Sequence, residues 1–213
     1  MLNNKVLTKE EQSKLTPDQV IKILKQGNQK FTNNNFIVKN NLEHEYDAVI
    51  GQHPAAVILS CIDSRVLVEN VFNCGVGDVF VVRVAGNIVN SDILGSLEYA
   101  CKESGSKLVV VMGHGDCGAV KAAIDNVELG NITGLLEKIK PAVTLSKVNY
   151  KGEVKSSNAE FVERVGRTHV ELMLNEIRMN SPILKDMERE GEIKIVGATY
   201  SIKSGTVEFF EEK

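Results

Sequence analysis

Four short runs of branched apolar residues constrain the fold of this chain more than any other feature. They are AAVILS (55–60), VFVVRVAG (79–86), KLVVVMG (107–113) and EIKIVGATY (192–200). None approaches the ~18 apolar residues needed to span a bilayer. Each is apolar at nearly every position instead of every second one, which is the pattern of strands covered on both faces. Between the first three lie VLVENVF and SDILGSLEYACKESG, both short and helix-like. Buried strands alternating with helices predict an α/β fold, with a mainly parallel β-sheet flanked by helices. The segment GATYSIKSGTVEFF reads as a closing hairpin with its turn near Ser204-Gly205.

A helix is predicted ahead of the sheet, over LTPDQVIKILKQGNQKF (15–31). Thr16 suits the cap, Pro17 the first helical position and Gln19 the capping box, and Val20, Leu24 and Phe31 share roughly one face. The stretch 146–160 reads as a polar loop, and helical periodicity resumes over 167–184. A length of 213 residues without repeats or a low-complexity linker suits a single domain, 1–213, with an N-terminal helical arm (1–45) and a core at 51–125. Net charge is −3 with no basic block, so neither a nucleic-acid groove nor an anionic-membrane patch is expected. The polar start MLNNKVLTKEEQSK lacks a signal-peptide core, and the expectation is a cytoplasmic location.

The third run stops at GHGDCG (113–118). This fits G-x-G-x-x-G between a strand and a helix, as in a dinucleotide-binding turn. Such a turn asks for an acidic residue about 20 positions on, at a strand end. Glu137 lies in a helical pattern instead, and the turn follows the third strand, not the first. Two of the variable positions hold His114 and Cys117, which are metal-ligand types, and Cys61 ends the first strand. Of the four cysteines (61, 74, 101 and 117), each taken singly could be core filler. In a flavodoxin-like strand order, however, the first and third strands are neighbours whose carboxyl ends open together. Cys61, His114 and Cys117 then converge as three soft ligands, with Gly113, Gly115 and Gly118 loosening the turn around them. In CIDSR, Cys61, Asp63 and Arg65 alternate, so an extended backbone would point them the same way. Arg65 can hold the Asp63 carboxylate bidentately and keep it an ionised acceptor.

With SCIDSRV followed by GHGDCGAV, the chain resembles the β-class carbonic anhydrases, and GQHPAAVILSCIDSRV, GVGDVFVVRVAGN and DILGSLEYA extend the likeness. The resemblance implies the β-carbonic anhydrase fold, one Zn2+ per chain on Cys61, His114 and Cys117, and an Asp63–Arg65 catalytic dyad. It implies reversible hydration of carbon dioxide to bicarbonate and a proton by a zinc-bound hydroxide that the dyad orients. Gln52, Phe80, Tyr99 and Gly118 match substrate-binding positions. In this family the Gln, Phe and Tyr come from a second subunit, which implies a homodimer or dimer of dimers, with the N-terminal helix as an arm around the other copy. Carbonyl sulfide and carbon disulfide are alternative substrates within the same fold, and a non-catalytic zinc domain is the alternative from another class. Departures fall at Leu67, Cys74 and His169. The chain has no Trp, and Ile58 stands near the position of a regulatory bicarbonate-site tryptophan. His53 and His169 are candidate proton shuttles.

Overall fold

The computed structural model describes residues 6–35 and 51–211. Strands β1 (Ala56–Ser60), β2 (Val79–Arg83), β3 (Leu108–His114), β4 (Lys194–Tyr200) and β5 (Val207–Phe209) form one sheet in the order β2-β1-β3-β4-β5. The first four run parallel, and β5 returns antiparallel to β4 after a turn at Gly205. The expected second strand is shorter than 79–86. Gly86 takes φ +66, a left-handed conformation that no strand continues through, so Ala85–Asn87 forms a turn instead.

Why the runs lack alternation is visible in the packing. Val57, Leu59, Val109 and Val111 face one core layer, and Ala56, Ile58, Leu108, Val110 and Met112 face the other. Each face of β1 and β3 is covered, so the positions before the terminal Ser60 and His114 select apolar side chains or glycine. In chain order the helices are α1 (Lys9–Ser13), α2 (Pro17–Thr32), α3 (Val68–Val71), α4 (Ser91–Glu98), α5 (Gly118–Ile124), α6 (Gly130–Glu137), α7 (Lys140–Lys147), α8 (Ala159–Asn180) and α9 (Pro182–Arg189). Helices α4 to α9 cover the first face, and α2 and α3 cover the second. No described helix is long and apolar enough to cross a membrane.

The N-terminal helices dock on their own chain. Thr16 and Gln19 form the expected capping box, and Val20 and Leu24 are buried beside Ile58, Val71 and Val110. Helix α1 escapes a search for apolar periodicity, because its one buried residue is Gln12, whose Nε2 donates to Pro54 O and Ser104 O. Its Thr8–Glu11 capping box was the available signal. Gly27 lets α2 come so close to α3 that a Cβ there would lie 1.9 Å from Phe72 O. Within its own chain, the arm's residues 6–35 bury Val20 and Leu24 against the second core layer, while much of the remaining helix surface is exposed. Residues 36–45 of that arm lie outside the described residues.

Asn28 locks this docking. Its Nδ2 donates to Val71 O and Gly205 O, and its Oδ1 accepts from Val207 N, tying α2 to α3 and to the β4–β5 hairpin. Asn28→Ala leaves those buried backbone groups without partners. It is expected to cost about 2–4 kcal/mol in urea unfolding with an unchanged slope. A loss below about 1 kcal/mol would show that these bonds do not hold the helix.

Candidate active site

Parallel register places the site. Ser60 of β1 pairs with Met112 of β3, so Cys61 leaves its strand beside Gly113 and His114. His114 ends β3 opposite Tyr200 of β4, and Cys117 caps α5. The donor atoms of Cys61, His114 and Cys117 all lie within 4.8 Å of one another. The three residues are 4%, 6% and 2% exposed. His114 Nδ1 lies 2.9 Å from Gly115 O. A carbonyl only accepts, so Nδ1 carries the proton and Nε2 presents a lone pair. That Nε2 is buried and hydrogen-bonded to no described residue. A bare imidazole lone pair beside two cysteine sulfurs, with the other ring nitrogen anchored on a backbone carbonyl, is a donor set that fits a zinc ion.

The turn between His114 and Cys117 departs from expectation. Among the described residues, Gly113, Gly115 and Gly118 all keep negative φ, and Asp116 makes the left-handed step at φ +56. Aspartate tolerates that conformation better than most side chains. Gly113 is small for another reason: a Cβ there would lie 2.9 Å from Val170 Cγ2 of α8.

Burial alone raises a thiol pKa, as at Cys101, which is pushed up to about 12. Cys61 goes the other way, to about 4. Chiefly the Cys117 thiol donates to it, against the cost of burial, and His114 with the Gly86 and Asp63 amides adds to the effect. Cys117, giving its proton to Cys61 while buried, is raised. At His114 burial is the largest influence and disfavours the imidazolium. Contact with Cys61 and the Gly115 carbonyl, and the charges of Cys61 and Asp63, outweigh it and raise the pKa. The pocket is thus water-poor and favours a thiolate at Cys61, which suits a cation at its centre.

Asp63 and Arg65 meet in a turn, closed by Val66 N donating to Asp63 O, and not on the expected extended segment. Oδ1 of Asp63 accepts from the Arg65 amide at 3.0 Å and from Nε at 2.9 Å, and Oδ2 accepts from Nη2 at 2.8 Å. These Arg65 hydrogen bonds, above all those of the side chain, hold the Asp63 carboxyl well below the usual carboxylate range. Oδ1 has both lone pairs used; Oδ2 keeps one, and it is Oδ2 that lies 3.9 Å from His114 Nε2.

Sequence reasoning missed three neighbours. Arg83 donates from Nε to Cys61 O at 2.9 Å and from Nη2 to Asp63 O at 2.6 Å, clamping the loop. A lone arginine inside an otherwise apolar run was its signal. Asp116, ion-paired with Lys121, is a second carboxylate on Arg65 at 3.4 Å. Gly86 N donates to Cys61 Sγ at 3.3 Å.

Gln52, Phe80 and Tyr99 are not brought to this cluster within one chain. Phe80 sits opposite Val57 on β2, three strand residues back from Arg83, or about 10 Å along the sheet. Its ring meets Tyr99 edge-on at 6.3 Å, and Tyr99 is exposed. Gln52 is exposed ahead of β1, at the end of that strand remote from Cys61. Gly118 opens α5 beside Cys117, where an added Cβ would meet nothing within 4 Å. Of the shuttle candidates, His53 is half-buried, whereas His169 is 1% exposed with Nε2 committed to Gly86 O, which does not suit proton delivery to solvent.

The shared thiol proton is testable in metal-free protein. Acid titration of the thiolate ultraviolet absorbance is expected to show a step near pH 4. An ordinary thiol titrates instead at about 8.5. Below the step Cys61 is protonated, and above it the thiolate persists. Cys61→Ser removes the step and Cys101→Ser keeps it; a step retained in Cys61→Ser would assign the thiolate elsewhere.

Comparison with known proteins agrees with this geometry. The sequence profile of the carbonic anhydrase family matches residues 56–207. Carbonic anhydrase 2 of Mycobacterium tuberculosis is 35% identical, over 86% of this chain and 88% of its own length. The carbonic anhydrase of Mycolicibacterium smegmatis is 33% identical, over 88% and 90%. Among solved structures, the β-carbonic anhydrase CcaA superposes with a TM-score of 0.73 at 25% identity, covering 91% of this chain and 94% of that one. With both strand ends, the Cys-His-Cys cluster and the matched span in agreement, the chain belongs to the carbonic anhydrase family, in its β class.

Proposed function

We propose that the chain catalyses the reversible hydration of carbon dioxide to bicarbonate and a proton, with zinc held by Cys61, His114 and Cys117. The observation that carries this reading is the convergence of three buried soft donors within 4.8 Å, beside a carboxylate fixed by Arg65. Asp63 is engaged by Arg65 and stays out of the donor set, which suits a catalytic three-ligand site better than a closed structural one. Zinc, when bound, supplies Lewis acidity, which can bring the pKa of a water it polarises from about 15.7 to about 7.

The protein's own part is orientation. The remaining lone pair of Asp63 Oδ2 accepts the O–H of the attacking water, so that the nucleophilic lone pair faces the carbon of the substrate. Arg65 prevents that carboxylate from turning or taking a proton, and Arg83 fixes the backbone on which Cys61 and Asp63 sit. The Phe80–Tyr99 pair offers apolar walls suited to an uncharged, non-dipolar gas, and the Gln52 amide can donate to the oxygen that gains charge. Because these three lie away from the cluster of their own chain, they serve the site of a second copy. Strand β2, which carries Phe80, is an edge of the sheet and can face that copy. Gly118 leaves room for the substrate beside Cys117.

Protein loaded with zinc is expected to bind about one metal per chain and to hydrate carbon dioxide in stopped-flow assays. Cys61→Ser and His114→Ala lose both metal and activity, and Cys74→Ser and Cys101→Ser keep both. Zinc lost from the second pair but retained by the first would overturn the ligand assignment.

The dyad makes a separate expectation. Arg65→Ala and Asp63→Asn retain zinc and lose roughly 10²-fold in kcat, the scale of a positioned acid–base group. A wild-type kcat in Arg65→Ala would remove the orienting role of the pair.

A further inference from the structure

Helix α8 crosses the sheet beside the metal cluster and carries His169, a buried ionisable side chain that the proposed reaction does not use. Its Nε2 lies 2.7 Å from the carbonyl oxygen of Gly86. The amide of the same residue donates to Cys61 Sγ at 3.3 Å. Two peptide groups therefore meet at Gly86, one anchored by His169 and the other pointing at a ligand sulfur. Only the φ and ψ of Gly86 separate their planes. At φ +66, in the most freely rotating residue type, that link would be soft if nothing held it. It is walled on its other side, where a Cβ would lie 2.7 Å from Ile139 Cδ1 and 3.2 Å from Ala119 Cβ. His169 supplies the directional restraint that those apolar contacts cannot.

We propose that His169 is a positioning residue of the metal centre: its Nε2–H holds the Gly86 carbonyl and thereby aims the Gly86 amide at the Cys61 sulfur. The inference deepens the zinc reading given above and rests on it. The donor assignment follows from the acceptor, because a carbonyl offers no proton and the imidazole must. Burial lowers the pKa of His169, so the ring is the neutral, single-donor form. An N–H bond to a thiolate draws electron density from sulfur and sets its donor strength, and such outer contacts commonly alter metal affinity by about 10–100-fold. The bland alternative is that His169 only fills space between α8 and the Ala85–Asn87 turn.

Two variants separate these roles. His169→Phe keeps a planar ring and removes the donor, and His169→Gln restores an N–H at comparable reach. Each is loaded with cobalt(II) for the thiolate-to-metal charge-transfer band, and with zinc for affinity by chelator competition. His169→Phe is expected to shift the band to longer wavelength, because a sulfur that has lost an N–H bond releases electron density more easily. Its zinc affinity should fall about 10-fold. His169→Gln should return both to wild type. A wild-type band and affinity in His169→Phe overturns the proposal, and so does a His169→Gln that fails as the phenylalanine variant does. If His169→Phe does not fold, His169→Gln decides alone: a wild-type band and affinity support the role, and a displaced band overturns it. Carbon dioxide hydration by the wild-type zinc protein is run alongside. Its absence would refute the proposed reaction while leaving the band to judge His169.

Discussion

Parallel pairing of β1 with β3 determines where everything else in the site can be. Register is fixed by side-chain burial: a slip of one residue would exchange the two core faces, sending Ile58 and Val110 to the layer that Leu59 and Val111 fill. Because both faces are closed, a slip or a charged substitution within the strands would disrupt the core. The ends of β1 and β3 are consequently rigid, and Cys61 and His114 inherit their separation from the sheet. Cys117 follows from the same frame, since it is the N-cap of α5, which begins at Gly118 and packs against the same core layer. A metal held by these three donors would owe its geometry to the core, with the loops only completing it.

Electrostatics then divides the site into two parts with opposite tasks. Cys61, His114 and Cys117 lie in a water-poor pocket that favours the Cys61 thiolate and suits a cation. Asp63 lies at its margin, held ionised by the exposed Arg65. Asp116 and Lys121 extend that margin into a chain of alternating charges at the surface. The arrangement keeps the metal donors from competing with Asp63, because the carboxylate is already satisfied by a guanidinium with matching geometry. In the proposed reaction, stabilising charge and orienting water would thus fall to different groups, a few ångströms apart.

Much of this was legible in the chain because the physics is local or the residue types are rare. Unbroken apolar runs betrayed the doubly covered strands, and Cys61, His114 and Cys117 stood out because soft ligands seldom cluster at strand ends. What stayed hidden depends on contacts between distant segments or on conformation within a turn. Gly86 looks like a strand residue until its left-handed φ is seen, and His169 meets it across 83 residues. The glycines of GHGDCG suggested flexibility, yet Asp116 takes the strained step and Gly113 is small to admit α8. Helix α1 has no apolar stripe, so only its cap announced it. The N-terminal helix was legible as a helix, but its docking surface was not, since Asn28 reads as polar and lies buried.

The place of β4 in the sheet has a consequence for how the molecule is made. Strand β3 is held on one side by β1 as far as Met112, and on the other by β4, where His114 pairs with Tyr200 and residues 115–193 lie between. Loop closure over such a span is slow compared with local helix formation. On a ribosome, the cysteines and the histidine emerge long before the strand that finishes their surroundings. Until β4 arrives, β3 has an open edge, and α8 has no sheet to complete its packing. The surroundings of the Cys-His-Cys cluster are therefore complete only once the C-terminal strand has docked.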